Sequence, residues 1–166
     1  MLPWNFSMQT ASDVHTEISI DVDRPPRVVF DLARDVSQWP RLLPHYRRVT
    51  IHSRKDGRVV ATMAAVRPLW RRLGIPVWWR SEQWTDDADS DDLRLRFQHV
   101  AGATKGMDVT WHIRSTSYGS HVTIEHEFVR RLPLLGDDFF PRMVDWLFVR
   151  PIAGRTLATF KQLAES

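Results

Sequence analysis

Residues 107–128 read MDVTWHIRSTSYGSHVTIEHEF, and they contain two runs in which apolar and polar side chains alternate. Successive side chains of a β-strand point to opposite faces, so each run predicts a strand with one buried face. The turn-forming residues TSYGS at 116–120 lie between the runs and join the two strands as an antiparallel hairpin. The residues expected on the buried face are Met107, Val109, Trp111 and Ile113, followed by Val122, Ile124, His126 and Phe128.

A similar strand pattern recurs in five stretches that precede this hairpin. KDG at 55–57 separates two of them and is a hairpin signal, and the acidic run Asp86–Asp92 is typical of a solvated hairpin tip. Because the connections are short, these strands are expected to form an antiparallel meander. The five stretches are HTEISIDVD (15–23), RRVTIHSR (47–54), RVVATMAAV (58–66), VWWRSEQW (77–84) and LRLRFQHV (93–100).

Helices are predicted in two parts of the chain. After the first strand, the paired prolines and apolar spacing of residues 24–35 favour a helix, and residues 36–46 form a second short helix and a turn. The chain from Asp138 to its end is predicted as a long helix that Pro151 kinks or breaks.

This order of elements predicts an α+β fold. A curved seven-stranded antiparallel sheet surrounds a long C-terminal helix, and two short helices lie between strands one and two. We expect an N-terminal arm at residues 1–12 and a single domain at residues 13–166.

The composition narrows the possible functions and locations. The chain has no cysteine and a formal net charge of +3, and its arginines are scattered among acidic residues, so nucleic acid is not an expected partner. No apolar run approaches the ~20 residues that span a bilayer. The first ten residues lack the pattern of a signal peptide, and a cytoplasmic location is predicted. No spacing of histidines and carboxylates predicts a metal, and no phosphate-binding loop predicts a cofactor.

Several stretches resemble START-like proteins, also called the SRPBCC or Bet v 1-like superfamily, and in particular bacterial polyketide aromatase/cyclases. The resemblance covers about Val14 to Glu165 and implies a helix-grip fold, in which the sheet wraps the last helix around an apolar cavity. The same superfamily includes coenzyme Q-binding proteins that bind without catalysing. The matching stretches are DVSQWPRLLPHYRRV (35–49), WRSEQWTDDADSDDLRLRF (79–97), MDVTWHIRSTSYGSHVTIEHEF (107–128) and AGRTLATFKQLAE (153–165).

The resemblance also implies a set of cavity-lining residues. Alternation independently puts Trp79, Ser81 and Gln83 on one strand face, and the parity of Phe97 and His99 adds both to the ligand-binding set. Cyclases line their cavity from the positions that match Trp39, Tyr46, Trp79, Ser81, Gln83, Met107, Trp111 and His126.

Tyr46 and His126 are the candidate catalytic residues. The Tyr46 hydroxyl could donate a proton or a hydrogen bond to a bound carbonyl, and a histidine is a natural general base. Alternatively, Tyr46 fills the core and His126 is a core histidine with satisfied hydrogen bonds. Ser81 has no base partner that would make it a nucleophile.

One position departs from the cyclase pattern. Several cyclases carry an arginine where this chain has Gln83, and an arginine can stabilise an enolate as negative charge develops. Glutamine brings no charge. Arg80 could replace the missing charge only if a β-bulge rotated it inward.

Three interpretations remain open at this point. The protein is an aromatase/cyclase-like enzyme that acts on a hydrophobic aromatic or polycyclic molecule, or a non-catalytic carrier or sensor of a lipid or quinone, or a protein whose aromatic face is solid core. Residues 67–76 and 130–141 are predicted as loops at the cavity mouth. They are either lids, a dimer contact or a transient membrane contact, or they simply pack over the sheet edge. The sequence leaves open whether the protein is a monomer or a homodimer.

Overall fold

The hairpin of residues 107–128 forms as predicted, and it lies within a single antiparallel sheet whose strands are ordered β1-β7-β6-β5-β4-β3-β2. The computed structural model describes residues 14–70, 73–128 and 139–166. The predicted N-terminal arm therefore lies outside the described residues. The strands are β1 (Val14–Val22), β2 (Tyr46–Lys55), β3 (Arg58–Trp70), β4 (Leu73–Asp86), β5 (Asp92–Gly102), β6 (Met107–Thr116) and β7 (Gly119–Phe128).

The chain crosses the sheet between its first two strands, because β1 and β2 lie at opposite edges. This crossing contains α1 (Pro26–Ala33), a 3₁₀ turn (Val36–Gln38) and α2 (Trp39–Leu42), which confirms the two predicted helices. The indole Nε1 of Trp39 donates a hydrogen bond to the carbonyl oxygen of Ala33 at 3.0 Å. This bond fixes the Trp39 ring against the inner face of the sheet.

The predicted alternation along β4 is confirmed. Trp79, Ser81 and Gln83 are buried on the inner face, whereas the Trp78 side chain is 53% exposed on the outer face. The same parity holds in β5, β6 and β7, where the predicted apolar positions are buried. The inner face of the sheet is therefore the wall of the core.

A β-bulge interrupts the pairing of β4 with β5, and it belongs to β5. The register shifts after Arg80, so Val100 has no partner across the ladder. Arg80 stays on the exposed outer face, where its Nε donates a hydrogen bond to Thr62 Oγ1 at 3.0 Å. The bulge therefore does not bring the Arg80 charge inside.

The predicted loop at residues 67–76 is wrong, because β3 runs to Trp70 and β4 starts at Leu73. Prolines normally end strands since they cannot donate to the ladder. Pro68 lies beyond the last residue of β3 that pairs with β2, and Pro76 lies before the first residue of β4 that pairs with β5. Among the described strands, each proline therefore lies where its own strand is unpaired on one side and an N–H is not needed. Of the second predicted loop, residues 130–138 lie outside the described residues.

The C-terminal segment is helical as predicted, in three pieces. These are α3 (Phe139–Val144), a π-helical turn (Asp145–Val149) and α4 (Arg150–Glu165), which packs against β1 and α1. The π turn ends at Val149, two residues before Pro151, so the regular α-helical ladder is interrupted next to the proline, whose missing N–H and bulky ring oppose an unbroken α-helix. The chain stays helical through Pro151 itself. Among the described ranges, none of the helices has both the length and the apolar character needed to cross a membrane.

Gly102 allows β4 and β5 to approach each other beside the bulge. Its φ is +91°, and a Cβ there would overlap the Trp78 carbonyl oxygen and lie 2.7 Å from Trp79 Cα. Next to it the rings of Trp79 and His99 stack with centroids 5.8 Å apart. The glycine thus permits the close approach of the two strands beside which Trp79 and His99 stack.

We expect Gly102→Ala to lower the free energy of unfolding by about 3 kcal/mol, because the positive φ and the backbone overlap both oppose a side chain. Gly57→Ala is the matched control, since Gly57 has a φ of +73° and nothing within 4 Å of the added Cβ. It should cost only about 1 kcal/mol. Urea denaturation of both variants measures the two losses. Equal losses would contradict the close approach of β4 and β5 at Gly102.

Candidate functional site

A cavity of about 70 Å³ lies between the inner face of the sheet and the C-terminal helical segment. Its walls come from β2 to β7, from α2, and from the π turn and first turns of α4. This volume holds several water molecules, but it is smaller than the about 150 Å³ of an engineered protein cavity that binds benzene. The interior is therefore not a solid aromatic core, and a ring-sized ligand would have to push part of the wall aside.

The structure brings eight of the ten predicted ligand-binding residues to this cavity and leaves two outside it. The two that do not line it are Ser81 and Gln83. The eight that do are Trp39, Tyr46, Trp79, Phe97, His99, Met107, Trp111 and His126. Their roles in binding or catalysis remain predictions.

Trp39 is the centre of the aromatic wall. Its ring packs edge-on to Tyr46 with centroids 5.0 Å apart, and it lies 6.0 Å from Trp111 and 6.1 Å from Phe160 of α4. Tyr46 in turn packs edge-on to Trp79 at 5.9 Å. These rings connect the sheet to the last helix and leave the cavity between them.

Ser81 and Gln83 are buried on the inner face of β4 but do not line the cavity, and Gln83 contacts the crossing segment instead. Gln83 Nε2 donates a hydrogen bond to the carbonyl oxygen of Arg34 at 2.8 Å, which ties β4 to the end of α1. The Gln83 Oε1 and the Ser81 Oγ are buried and have no hydrogen-bond partner within the described part of the chain. The nitrogen of the Gln83 amide is thus bonded to the backbone of the crossing segment, whereas its oxygen is not.

Sequence reasoning missed ten lining residues. Five are from the sheet and its turns, and alternation already placed most of these on the inner face: Met63, Val77, Thr104, Val109 and Ile124. The other five are from the helical segment: Phe148, Val149, Ile152, Ala153 and Thr156. The i, i+1, i+4 spacing of the last three is a helix-face signal that could have found them.

His99 and His126 place imidazoles in the cavity wall. The Nδ1 of His99 is 2.7 Å from Thr104 Oγ1, whereas the Nδ1 of His126 is buried and has no hydrogen-bond partner among the described residues. Burial lowers the pKa of His99 to about 3, with a further contribution from His126. Burial lowers the pKa of His126 to about 4, although the Asp145 charge acts in the opposite direction. Both imidazoles are therefore neutral at pH 7.

Asp145 is a buried carboxylate in the π turn, close to the cavity wall. Thr16 Oγ1 donates a hydrogen bond to Asp145 Oδ1 at 2.5 Å, and Arg150 Nε donates to Oδ2 at 2.8 Å. Thr16 pairs directly with His126 in the β1–β7 ladder. These contacts fasten the π turn to the edge of the sheet and neutralise the carboxylate.

A second polar group lies beside Tyr46. His45 packs edge-on to Tyr46 with ring centroids 5.0 Å apart, and its Nε2 lies 2.9 Å from Thr156 Oγ1. Burial raises the pKa of Tyr46 well above its usual value, and a contribution from Thr156 only partly offsets this. Burial also lowers the pKa of His45 to about 4, with a further contribution from Arg155. Tyr46 is thus a weak acid, and His45 is neutral at pH 7.

The chemistry available in the cavity is that of neutral hydrogen-bonding groups in an apolar enclosure. Among the described residues, none of the lining side chains is an aspartate, glutamate, lysine or arginine. The site can therefore orient an uncharged molecule and exchange protons with it. It offers no fixed positive charge to a developing enolate.

We expect acid to destabilise the fold through the buried histidines. In the unfolded chain a histidine has a pKa near ~6.5, whereas the folded pKa is about 3 for His99 and about 4 for His126. The unfolded state then binds more protons below ~6.5, so the free energy of unfolding falls as the pH drops from that value towards the folded pKa values. Urea denaturation at a series of pH values measures this loss. Imidazole NMR signals of folded His99 or His126 that titrate near pH 6.5 would contradict it.

Two relatives match most of the described core of this chain in sequence, and a solved structure shares its fold. Two relatives are each named as a candidate polyketide cyclase. The one from Streptomyces halstedii is 33% identical over 107 residues, which are 63% of this chain and 92% of the relative. The one from Streptomyces cyaneus is 27% identical over 126 residues, which are 75% of this chain and 78% of the relative.

The crystal structure of the Zhui aromatase/cyclase from Streptomyces sp. R1128 has the same fold, with a TM-score of 0.72 and 20% identity over 93% of this chain and 94% of that one. The family model described as polyketide cyclase / dehydrase and lipid transport matches residues 22–147. The chain therefore belongs to the polyketide cyclase / dehydrase and lipid transport family.

Proposed function

We propose that this protein binds an uncharged, hydrophobic aromatic or polycyclic molecule in its cavity and acts on it as an aromatase/cyclase-like enzyme. The observation that carries the proposal is the unpartnered Nδ1 of His126 in an aromatic wall that also contains the Tyr46 hydroxyl. A buried polar atom without a partner is costly unless a ligand or water satisfies it. Family membership points to the same hydrophobic ligand class.

The lining favours an uncharged ligand over an ionised one. An isolated charge in an apolar interior is strongly disfavoured, and the described lining has no opposite charge to pair with it. The broad faces of Trp39 and Trp79 suit flat rings, which gain from stacked and edge-on contacts. The polar atoms then fix the orientation of a ligand that the aromatic rings hold.

A ligand of one or more rings requires the cavity to enlarge. The wall that is easiest to displace is the π turn, because its hydrogen bonding departs from the regular α-helical ladder. Phe148 and Val149 of this turn line the cavity. Asp145, the first residue of the turn, is hydrogen-bonded to Arg150 and Thr16. We expect the ligand to enter by moving Phe148 and Val149 while the Asp145 contacts remain.

A cyclisation in this site would depend mainly on positioning. A polyketone held in a folded shape can lose a proton from an activated methylene to the Nδ1 of His126. The resulting carbanion attacks a carbonyl carbon of the same chain to form a carbon–carbon bond. His126 returns the proton to the new alkoxide, and Tyr46 orients a ligand oxygen. Because His126 is a weak base, the enclosure must supply most of the acceleration by holding the reacting atoms together.

The second candidate function is a non-catalytic carrier or sensor of a lipid or quinone. It is favoured by the charge-free lining and by Gln83, which stands outside the cavity with its Nε2 bonded to Arg34. The described cavity lining therefore has no arginine that would stabilise an enolate. The cytoplasmic location, the membrane contact and the choice between monomer and homodimer remain predictions under either function.

Binding in the cavity is tested by methyl NMR of the methionines. Met63 and Met107 line the cavity, whereas Met143 is exposed. Addition of 1-naphthol should shift the methyl signals of Met63 and Met107 by ring currents and leave Met143 unchanged.

A matched pair of variants on α4 locates the ligand. Ala153 lines the cavity and Ala158 lies on the exposed face of the same helix. Ala153→Leu fills the space and should weaken naphthol binding at least tenfold, because the ligand must displace the added atoms. Ala158→Leu should bind like the unchanged protein. Equal affinities for the two variants, measured by calorimetry, would place the ligand elsewhere.

Catalysis is separated from carriage by supplying a reactive polyketone and following its cyclised product. If His126 is the base, His126→Gln should slow cyclisation about 100-fold or more while retaining ligand affinity. His121→Gln is the control, because His121 lies on the same strand and bonds to Asp21 on the outer face. If the polyketone cyclises no faster with the protein than without it, and the protein releases it unchanged, the result would support the carrier function.

A further inference from the structure

Arg67 lies near the end of β3 and has the strand parity of the inner face. Met63 and Ala65 occupy the preceding positions of that parity, and both are buried. The Arg67 guanidinium lies over the ring of Trp146 in the π turn, with Cζ 5.4 Å from the ring centroid. The guanidinium therefore reaches from the sheet to the helical segment that covers it.

This arginine adjoins the cavity, although it is not part of the described lining. In the β3–β4 ladder Arg67 pairs with Ile75, and the lining residue Val77 is its diagonal neighbour on the same face. Diagonal neighbours are about 7–8 Å apart, a distance that a long side chain can span. Trp146 belongs to the π turn, which also supplies lining residues. Arg67 therefore lies beside the end of the cavity where β3, β4 and the π turn meet.

The Arg67 guanidinium has no compensating partner. Its Nε is buried without a hydrogen-bond partner, and neither an ion pair nor another hydrogen bond of Arg67 occurs among the described residues. Asp145, next to Trp146 in the chain, is paired with Arg150 instead. A buried donor without a partner and a partly buried charge without a counter-ion are both costly. A ligand oxygen with negative charge would remove both costs.

A carboxylate suits this guanidinium in shape as well as in charge. The Nε–H and one terminal N–H of an arginine are parallel, and they donate to the two oxygens of a carboxylate as a bidentate pair. Trp146 is 66% exposed, and its ring holds the guanidinium through a cation–π contact. Because the Arg67 Nε is buried, the oxygen that bonds to it has to approach from within the protein. An aromatic acid whose rings occupy the cavity would bring its carboxylate to this place.

We propose that Arg67 is a ligand-binding residue that receives the carboxylate of an aromatic acid whose rings lie in the cavity. The proposal rests on the proposed binding of aromatic rings there, and it refines the ligand class. The part of the ligand inside the lining is uncharged, and its charge lies beyond the lining at Arg67. The cavity and the arginine together select one orientation, with the acid group towards the end of β3.

The first test compares two ligands of almost the same shape. 1-Naphthoic acid is ionised at pH 7, whereas 1-naphthamide is neutral. The unchanged protein should bind naphthoate about tenfold more tightly, because hydrogen bonds between charged groups are stronger than those to a neutral group. Arg67→Gln removes the charge at a similar side-chain length, so this preference should disappear. Calorimetry measures the dissociation constants.

Arg80→Gln is the matched control. Arg80 lies on the exposed outer face of the neighbouring strand and bonds to Thr62. The variant loses the same charge and should keep the preference for naphthoate. Arg67→Lys keeps the charge without the planar fork and should retain only part of the preference. A preference that survives in Arg67→Gln, or that is lost equally in Arg80→Gln, would overturn the proposal.

Nitrogen-15 NMR gives a readout that does not depend on affinity. The Nε–H signal of Arg67 should shift when naphthoate is added, because the nitrogen gains a hydrogen-bond acceptor. The Nε–H signal of Arg80 should stay unchanged. An Arg67 signal that does not move at saturating naphthoate would overturn the proposal.

Neutral probes separate this proposal from the proposed function. Failure of the unchanged protein to bind 1-naphthol and 1-naphthamide would overturn the proposed function, while the Arg67 signal would still report on carboxylate binding. Equal affinities for naphthoate and naphthamide would overturn the role of Arg67 alone. Ala153→Leu fills the cavity and should weaken the binding of both ligands. Naphthoate binding that this variant leaves unaltered would place the rings outside the cavity and overturn the proposed orientation.

Discussion

The helices have to cover the inner face of seven strands, and the rest of the structure follows from this constraint. α4 packs mainly on β1 and α1 and also reaches β3, while α1 packs on β5, β6 and β7. Between these contacts the inner face is covered by its own side chains and by Trp39 from the crossing segment. Trp39 and Trp111 both reach Phe160 of α4 with ring centroids about 6 Å apart. These large rings span the space between the sheet and α4 without filling it, and the unfilled space is the cavity.

Burial, rather than a neighbouring charge, has the largest effect on the pKa values of the polar groups that border this gap. His99, His126 and Tyr46 all shift towards their neutral forms, and burial is the largest cause in each case. The carboxylate of Asp145, which lies close to the cavity wall, is bonded to Arg150 and Thr16. A site of this kind can recognise a molecule by the direction of hydrogen bonds and by the shape of its rings. The lining itself has little means of recognising an ion.

Most of the fold could be predicted from the sequence because strand alternation is a local property. Trp79, Phe97 and Met107 needed only their parity to be placed on the inner face. What alternation cannot specify is the position along a strand, and Gln83 shows this, since it shares the parity of Trp79 but lies beside Arg34. His45 could not be found either, because nothing in the residues around it indicates that Thr156, more than a hundred residues later, would meet its ring. The strand at residues 67–70 was missed because a proline-rich segment reads as a loop unless the open sheet edge is known.

The cavity lining has no charged side chain among the described residues, and the two candidate sources of charge on β4 show why. An arginine in the cavity would attract carbonyl oxygens strongly. Here Gln83 Nε2 is bonded to the Arg34 backbone, and Arg80 is held on the outer face by Thr62. No described lining residue carries a fixed charge, so the lining offers a ligand only its aromatic wall and neutral polar groups. Reintroducing an arginine at position 83 would therefore not restore a cyclase site by itself, because Gln83 contacts the crossing segment at Arg34 and does not line the cavity.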